Sequence, residues 1–128
     1  MNKDYLAKYW KYELLVAENK EEIFEKVLAS DINIHDYNDG VLIWAATNGH
    51  FEVVKLLLEN GADVHANYDS ALRWAAEKGH FEVAKLLLEH GANVYANNDY
   101  ALRMAANNER FEVVKLLLDH IKKEQNNG

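Results

Sequence analysis

Blocks of apolar residues recur along the chain at a constant interval of thirty residues. "VVKLLL" at 53–58 is followed by "VAKLLL" at 83–88 and "VVKLLL" at 113–118, and a pair of alanines precedes each block. Each unit is predicted to contain two helices, the alanine-containing one first. Apolar residues spread around more than half of the second helix, whereas a surface helix shows one apolar stripe. The pattern therefore predicts stacked helical hairpins with neighbours on both flanks.

Other positions repeat in the same register. They include an aspartate before the first helix and a phenylalanine at the second: Asp39, Asp69 and Asp99; Phe51, Phe81 and Phe111. A fourth, weaker copy comes before them. We predict a single domain over 1–128, divided into 1–38, 39–68, 69–98 and 99–128, with the first and last units capping the array. The predicted fold class is all-α, a solenoid of four stacked helix-turn-helix repeats.

Turn-forming residues mark the helix ends within a unit. Asp69 is a suitable N-cap for the first helix, because its carboxylate can accept a backbone N–H that lacks a partner. Gly79 is expected to end that helix, His80 to begin the second helix and Gly91 to end it.

The composition removes several classes of function. The chain has 128 residues and no cysteine, so disulfides and thiolate metal sites are impossible. A formal net charge of −7 argues against a nucleic-acid partner and favours a basic protein partner. The sequence has neither the ~20 apolar residues of a membrane span nor the apolar stretch of a signal peptide. We therefore expect a cytoplasmic (intracellular) monomer with no membrane partner.

The repeat resembles an ankyrin repeat. "GHFEVAKLLLEHGANV" at 79–94 carries the resemblance, "GHFEVVKLLLENGADV" at 49–64 matches better still, and the likeness covers nearly the whole chain. The usual ankyrin period is about 33 residues, with a "TPLH"-like motif opening the first helix. Here the period is thirty, and that place reads "GVLI", "SALR" and "YALR". The projecting β-turn fingers of the family are therefore expected to be short or absent.

The resemblance implies a protein-protein interaction module that binds a protein partner through its concave face, without catalysis. The short repeat, with openings such as "DYALR", is similar to ankyrin arrays in proteins of giant DNA viruses. The two middle copies are so alike that a consensus-engineered array stays open as well. The alternative function is accordingly an engineered or structural repeat scaffold with no evolved partner.

The resemblance also assigns a partner-binding surface to the fingers and the first helices. Positions there vary between copies while their neighbours repeat, as a tailored surface would; drift of exposed positions is the competing explanation. The residues concerned are Asn38, Gly40, Thr47, Asn48, Tyr68, Ser70, Glu77, Lys78, Asn98, Tyr100, Asn107 and Asn108.

Two recurring positions allow both a binding and a structural interpretation. Arg73 and Arg103 form either a basic ladder for an acidic partner or pairs with aspartates that join adjacent units; recurrence of the aspartates favours the pairs. A second position is occupied by large apolar side chains, which we predict to pack in the core rather than to form an aromatic binding ladder. These side chains are Trp44, Trp74 and Met104.

No motif predicts catalysis, a cofactor or a metal. His50 and His80 would lie on stacked helices ~8–10 Å apart, too far apart to share a zinc ion at ~2.0–2.1 Å. The pairs His35 with His65 and His90 with His120 are excluded for the same reason, and all six are expected at helix ends or turns. "DYNDG" at 36–40 places Thr47 where a calcium loop needs a glutamate. We therefore expect no enzymatic activity.

The two ends are expected to be polar caps of a complete array. The last unit replaces Gly-His by Glu109-Arg110 and ends in a polar tail, "IKKEQNNG". The first unit carries charged residues where the inner copies are more apolar, and a cluster of aromatic residues that we predict to cover the end of the core. These are Glu21, Glu22, Glu25 and Lys26, and Tyr5, Tyr9, Trp10 and Tyr12.

Overall fold

The computed structural model describes residues 35–127. In that range the chain forms six α-helices and no strand, which confirms the all-α fold class. They are α1 (Asp36–Thr47), α2 (Phe51–Glu59), α3 (Ala66–Lys78), α4 (Phe81–Glu89), α5 (Ala96–Asn107) and α6 (Phe111–Asn127). The charged residues and the aromatic cluster predicted to cap the first unit fall before residue 35, outside the described residues.

Glycines end the helices of the inner hairpins at the predicted places. Gly79 has a φ of +80°, a left-handed value that glycine adopts without steric cost, and its N–H donates to the carbonyl of Ala76. The N–H of His80 then donates to the carbonyl of Ala75 at 2.9 Å. The chain therefore reverses within two residues and enters α4. Gly91, with a φ of +91°, follows α4 in the same way.

A row of buried leucines runs through the stack. Five leucines are wholly buried, one in each of α1, α2, α3, α4 and α6: Leu42, Leu57, Leu72, Leu87 and Leu117. Each such burial stabilises the fold by ~1.5–3 kcal/mol. In α2 and α4, five of the nine residues are buried, and they include three leucines in succession. Burial on more than one face follows from a neighbour on each flank, as the apolar pattern predicts.

The stack is packed more closely on the side of the first helices. The alanine pairs of α1 and α3 are fully buried, and α1, α3 and α5 contact one another far more extensively than α2, α4 and α6 do. A stack whose helices lie close together on one side and farther apart on the other is concave on the close side. The first helices and the turns before them therefore line the inner, concave side, and the second helices line the outer side.

The last hairpin departs from the predicted polar cap. Glu109 has a φ of +58° at the position that Gly79 occupies in the preceding unit. Phe111 and Leu118 remain 70 % and 49 % exposed, whereas Leu88, the equivalent of Leu118, is 7 % exposed. The segment after His120, predicted to be a tail, continues α6 as far as Asn127. The described C-terminal end of the stack is thus partly apolar.

Candidate functional site

The first helices of the last two hairpins, α3 and α5, each begin with a left-handed turn of three residues. Asn67, Tyr68 and Asp69 have φ values of 54°, 57° and 57°, and the equivalent residues 97–99 have values of 56° to 59°. Asparagine and aspartate tolerate this region better than other non-glycine residues do. Regular right-handed helix therefore begins only after these triplets. The triplets stand where the family resemblance places a β-turn finger, and no strand forms there.

An arginine from the following helical turn holds each left-handed turn. Nε of Arg73 donates to the carbonyl of Tyr68 at 3.0 Å, and its Nη2 donates to the carbonyl of Asn67 at 3.2 Å. Arg103 makes the equivalent bonds to Asn98 and Asn97 at 2.8 and 3.5 Å. The favoured prediction that these arginines pair with aspartates is therefore wrong. They satisfy carbonyls that a left-handed turn leaves without helical donors.

The aspartates at this repeated position, Asp39 and Asp69, instead join their helix to the link that leads into the next unit. Asp69 is 5 % exposed, and its carboxylate accepts the N–H of Asn93, in the link between α4 and α5, at 2.7 Å. It also accepts Nδ1–H of His65 at 3.0 Å. Asp39 repeats the arrangement one unit earlier with Asp63 and His35. The carboxylate predicted to cap its own helix is thus used to hold the link that follows the second helix.

A second set of bonds joins the units at the other end of the first helices. Nε2 of His80 donates to the carbonyl of Thr47 in the preceding unit at 3.0 Å, and Nε of Arg110 donates to the equivalent Glu77 at 3.2 Å. A Cβ at Gly49 would come within 2.7 Å of the His80 ring, so this position requires glycine for space as well as for its φ of +72°. His80 is therefore a bridge between units and not simply a helix-end residue.

The neighbouring histidine is also affected by this packing. Burial lowers the pKa of His50, and the proximity of His80 lowers it further. The ring of His50 lies 5.0 Å from that of Trp44, measured between ring centres. His50 is therefore held toward its neutral form.

Arg73, Tyr100 and Arg103 form a cluster across a unit boundary, which we call the Arg-Tyr cluster. The guanidinium carbon of Arg73 lies 5.0 Å from the centre of the Tyr100 ring, and that of Arg103 lies 5.9 Å from it. Both distances fall within the ~6 Å range of cation-π attraction. Both guanidinium groups that hold the turns therefore also contact the ring of Tyr100.

Comparison with known families identifies the repeat. A family model described as ankyrin repeats, in three copies, matches residues 14–98. The chain belongs to the ankyrin repeat family. Ankyrin repeats are generally protein-interaction modules and are typically non-catalytic. A comparison with curated proteins finds no match.

The expected partner-binding residues of the ankyrin array differ widely in exposure. Tyr68 is 78 % exposed, and five others are exposed: Asn48, Lys78, Asn98, Asn107 and Asn108. Four are half-buried: Gly40, Thr47, Glu77 and Tyr100. Ser70 is 1 % exposed and cannot reach a partner in this arrangement, because its side chain is too short to project as Tyr100 does at the equivalent position. The side chain of Asn38 is outside the described set.

Arg73 and Arg103 were not among the expected partner-binding residues of the ankyrin array, although both border its turns. The sequence feature that could have indicated them is their recurrence at an interval of thirty, with Tyr100 three residues before Arg103.

The position with large apolar side chains is half-buried in all three copies, at Trp44, Trp74 and Met104, and Trp44 packs against the core. Packing of Trp44 agrees with the structural interpretation of that position.

Within residues 35–127, no three histidine or carboxylate side chains are grouped so as to hold a metal ion. None of the six described helices is both long enough and apolar enough to cross a membrane. A groove of about 310 Å³ between α4 and α6 is lined by Leu88 and Leu116 with charged residues around them. The groove lies on the side of the second helices, away from the turns.

Proposed function

We propose that this ankyrin array is a module that binds a protein partner through its concave side, where the first helices and the left-handed turns lie. The observation that carries the proposal is the contrast between variable and repeated positions on that side. Tyr68 in one copy is Asn98 in the next, and Lys78 is Asn108, although the bonds that hold the turns are the same in both copies. The framework is uniform and its exposed side chains differ.

The bonds between units support a rigid binding surface. Asp69 joins α3 to the link before α5, and His80 joins two units at the other end of the first helices. Because these bonds hold the backbone of the surface before a partner arrives, less conformational entropy is lost on binding. A rigid, curved surface with a few exposed aromatic and charged groups suits recognition of one partner.

The test compares proteins captured by the full chain and by two variants. The first variant changes exposed concave residues: Tyr68→Asn, Lys78→Ala, Asn98→Ala and Asn108→Ala. The second is a matched control with exposed changes on the outer side: Lys55→Ala, Glu82→Ala, Lys85→Ala and Glu112→Ala. Each protein is immobilised in a lysate of the cells that express it, and captured proteins are quantified by mass spectrometry.

We expect at least one protein to be retained by the full chain and the control, and lost by the concave variant. Thermal unfolding of the control should resemble that of the full chain, because every changed side chain is exposed. In the concave variant, asparagine replaces tyrosine at one left-handed position and alanine replaces asparagine at another, so the gain and the loss of stability should roughly offset each other. A partner retained equally by both variants would reject the concave surface. Failure of the full chain to retain any protein specifically would favour the alternative, a scaffold without an evolved partner.

A further inference from the structure

Tyr68 occupies a position that does not suit its residue type. It lies at the centre of a left-handed triplet, where the neighbouring copies have Asn38 and Asn98. Asparagine is enriched in that conformation, whereas a bulky side chain there is an outlier. The ring is nevertheless 78 % exposed and makes no aromatic or cation contact with residues 35–127. Neither local conformation nor packing within residues 35–127 explains a tyrosine at this position.

Arg73 connects Tyr68 with the Arg-Tyr cluster. Its Nε–H donates to the carbonyl of Tyr68, and its guanidinium carbon lies 5.0 Å from the ring centre of Tyr100. A guanidinium has five N–H groups, and the turn carbonyls use Nε and Nη2 of each arginine. Across the described chain, neither Arg73 nor Arg103 forms an ion pair with a carboxylate. Both guanidinium groups therefore retain donors for an acceptor from outside the chain.

The net charge of −7 for the whole chain does not describe the surface around the left-handed turns. The exposed surface of the second helices carries seven carboxylates and five lysines: Glu52, Glu59, Glu82, Glu89, Glu112, Asp119 and Glu124, with Lys55, Lys85, Lys115, Lys122 and Lys123. The turn end of the concave side carries these two arginines and two exposed carboxylates, Asp63 and Asp99, whereas the carboxylates of Asp39 and Asp69 are buried and hydrogen-bonded. Exposed carboxylates outnumber lysines on the outer side, whereas an acidic segment approaching the turns meets two guanidinium groups with unused donors.

We propose that Tyr68 and the Arg-Tyr cluster bind an acidic segment of a protein partner. Tyr68 supplies an apolar anchor, and Arg73 and Arg103 pair with carboxylates on either side of Tyr100. Arginine and tyrosine are enriched among residues that dominate binding energy, and guanidinium pairs with carboxylate through two parallel bonds. The proposal rests on the function proposed above and replaces, for this surface, the basic partner that the overall charge favours.

The test uses the full chain and a displayed library of random peptides. Selected peptides are sequenced and synthesised, and their dissociation constants are measured by fluorescence anisotropy. Each aspartate or glutamate is then replaced by asparagine or glutamine in the peptide, which leaves the fold of the protein untouched. Three variants are measured alongside: Tyr68→Asn, Arg103→Gln, and Lys85→Gln as an outer-side control. Circular dichroism and thermal unfolding establish that each variant is folded.

We expect the selected peptides to be enriched in aspartate and glutamate. Removal of their carboxylates should weaken binding to the full chain about tenfold. The same removal should have little effect on Arg103→Gln, because two changes to one interaction are not additive. Tyr68→Asn should weaken binding of every peptide, and Lys85→Gln should bind as the full chain does.

The outcomes separate the two proposals. Peptides enriched in lysine and arginine, or insensitive to loss of their carboxylates, would overturn the acidic partner. If Tyr68→Asn still weakened the binding of those peptides, the proposal of a concave binding surface would be supported. Peptides that lose affinity only with Lys85→Gln, or no peptide above background, would overturn both.

Discussion

The sequence does not predict the conformation that Tyr68, Asn98 and their flanking residues adopt. Aspartate and asparagine before "ALR" are compatible with an N-cap, which is what the sequence predicts at Asp69. Three consecutive left-handed residues form instead, and the arginine four residues after Asp69 holds them through backbone carbonyls. Their conformation depends on bonds made by a side chain in the following helix.

The left-handed φ of Tyr68 leads to a prediction about stability. Tyr68→Asn should raise the free energy of unfolding by about 1 kcal/mol, because a left-handed residue with a bulky side chain costs roughly that amount. Urea denaturation monitored by circular dichroism measures the change. Asn98→Tyr is the reciprocal control at the equivalent position and should lower stability by a similar amount. A loss of stability in Tyr68→Asn would contradict the assignment of strain to this residue.

At the scale of elements, identical residues have different roles in different hairpins. Asp69 is buried and accepts a backbone N–H from the link before α5, whereas Asp99, in the last hairpin, is exposed. Different residues can also have the same role: the His80 ring occupies the space beside Gly49, and the Arg110 side chain occupies the space beside Gly79. Each of these two side chains bonds the preceding hairpin, so the contact between units has a direction along the chain.

The two aspartates therefore provide a matched test of the bond between Asp69 and the link before α5. Asp69→Ala should lower the free energy of unfolding by about 2 kcal/mol more than Asp99→Ala does, since it removes hydrogen bonds to a buried carboxylate and leaves the N–H of Asn93 without its partner. Asp99→Ala should lower it by about 1 kcal/mol, because alanine replaces aspartate at a left-handed φ of +59°. Both values come from urea denaturation. Equal losses at the two positions would show that Asp69 does not hold the link.

At the scale of the whole molecule, position in the stack decides which apolar residues are covered. Leu88 is 7 % exposed and Leu118, its equivalent, is 49 % exposed, although both end an identical run of three leucines. The inner leucine has a hairpin on each side. The described C-terminal end has only one neighbour, and Glu109 replaces the glycine of the inner hairpins there.

This difference predicts unequal tolerance of a charge. Leu88→Lys should lower the free energy of unfolding by about 3 kcal/mol or more, because it removes a buried apolar side chain and introduces a charge near the core. Leu118→Lys should lower it by less than about 1 kcal/mol. Denaturation is measured at several protein concentrations. A large, concentration-dependent loss in Leu118→Lys would reveal that a second copy covers this end, contrary to the expected monomer.

The sequence alone was sufficient for the repeat period, the hairpins and most of the core. Helical spacing and turn chemistry are local properties, so Leu72 and Leu87 could be assigned to the core, and Gly79 and Gly91 to helix ends, without coordinates. The assignment to the ankyrin family followed from the same repeated residues. The partner-binding surface was outlined by position within the repeat, and it stays a proposal.

Only the tertiary structure decided which groups meet. Asp69 bonds a residue 24 positions later, and His80 bonds a carbonyl 33 positions earlier. The same packing buried Ser70, left Tyr68 exposed and drew Arg73 and Arg103 toward Tyr100. The physical reason is that the repeated sequence determines which polar and apolar groups each hairpin carries. The spacing and curvature of the stack determine which of those groups come within bonding distance.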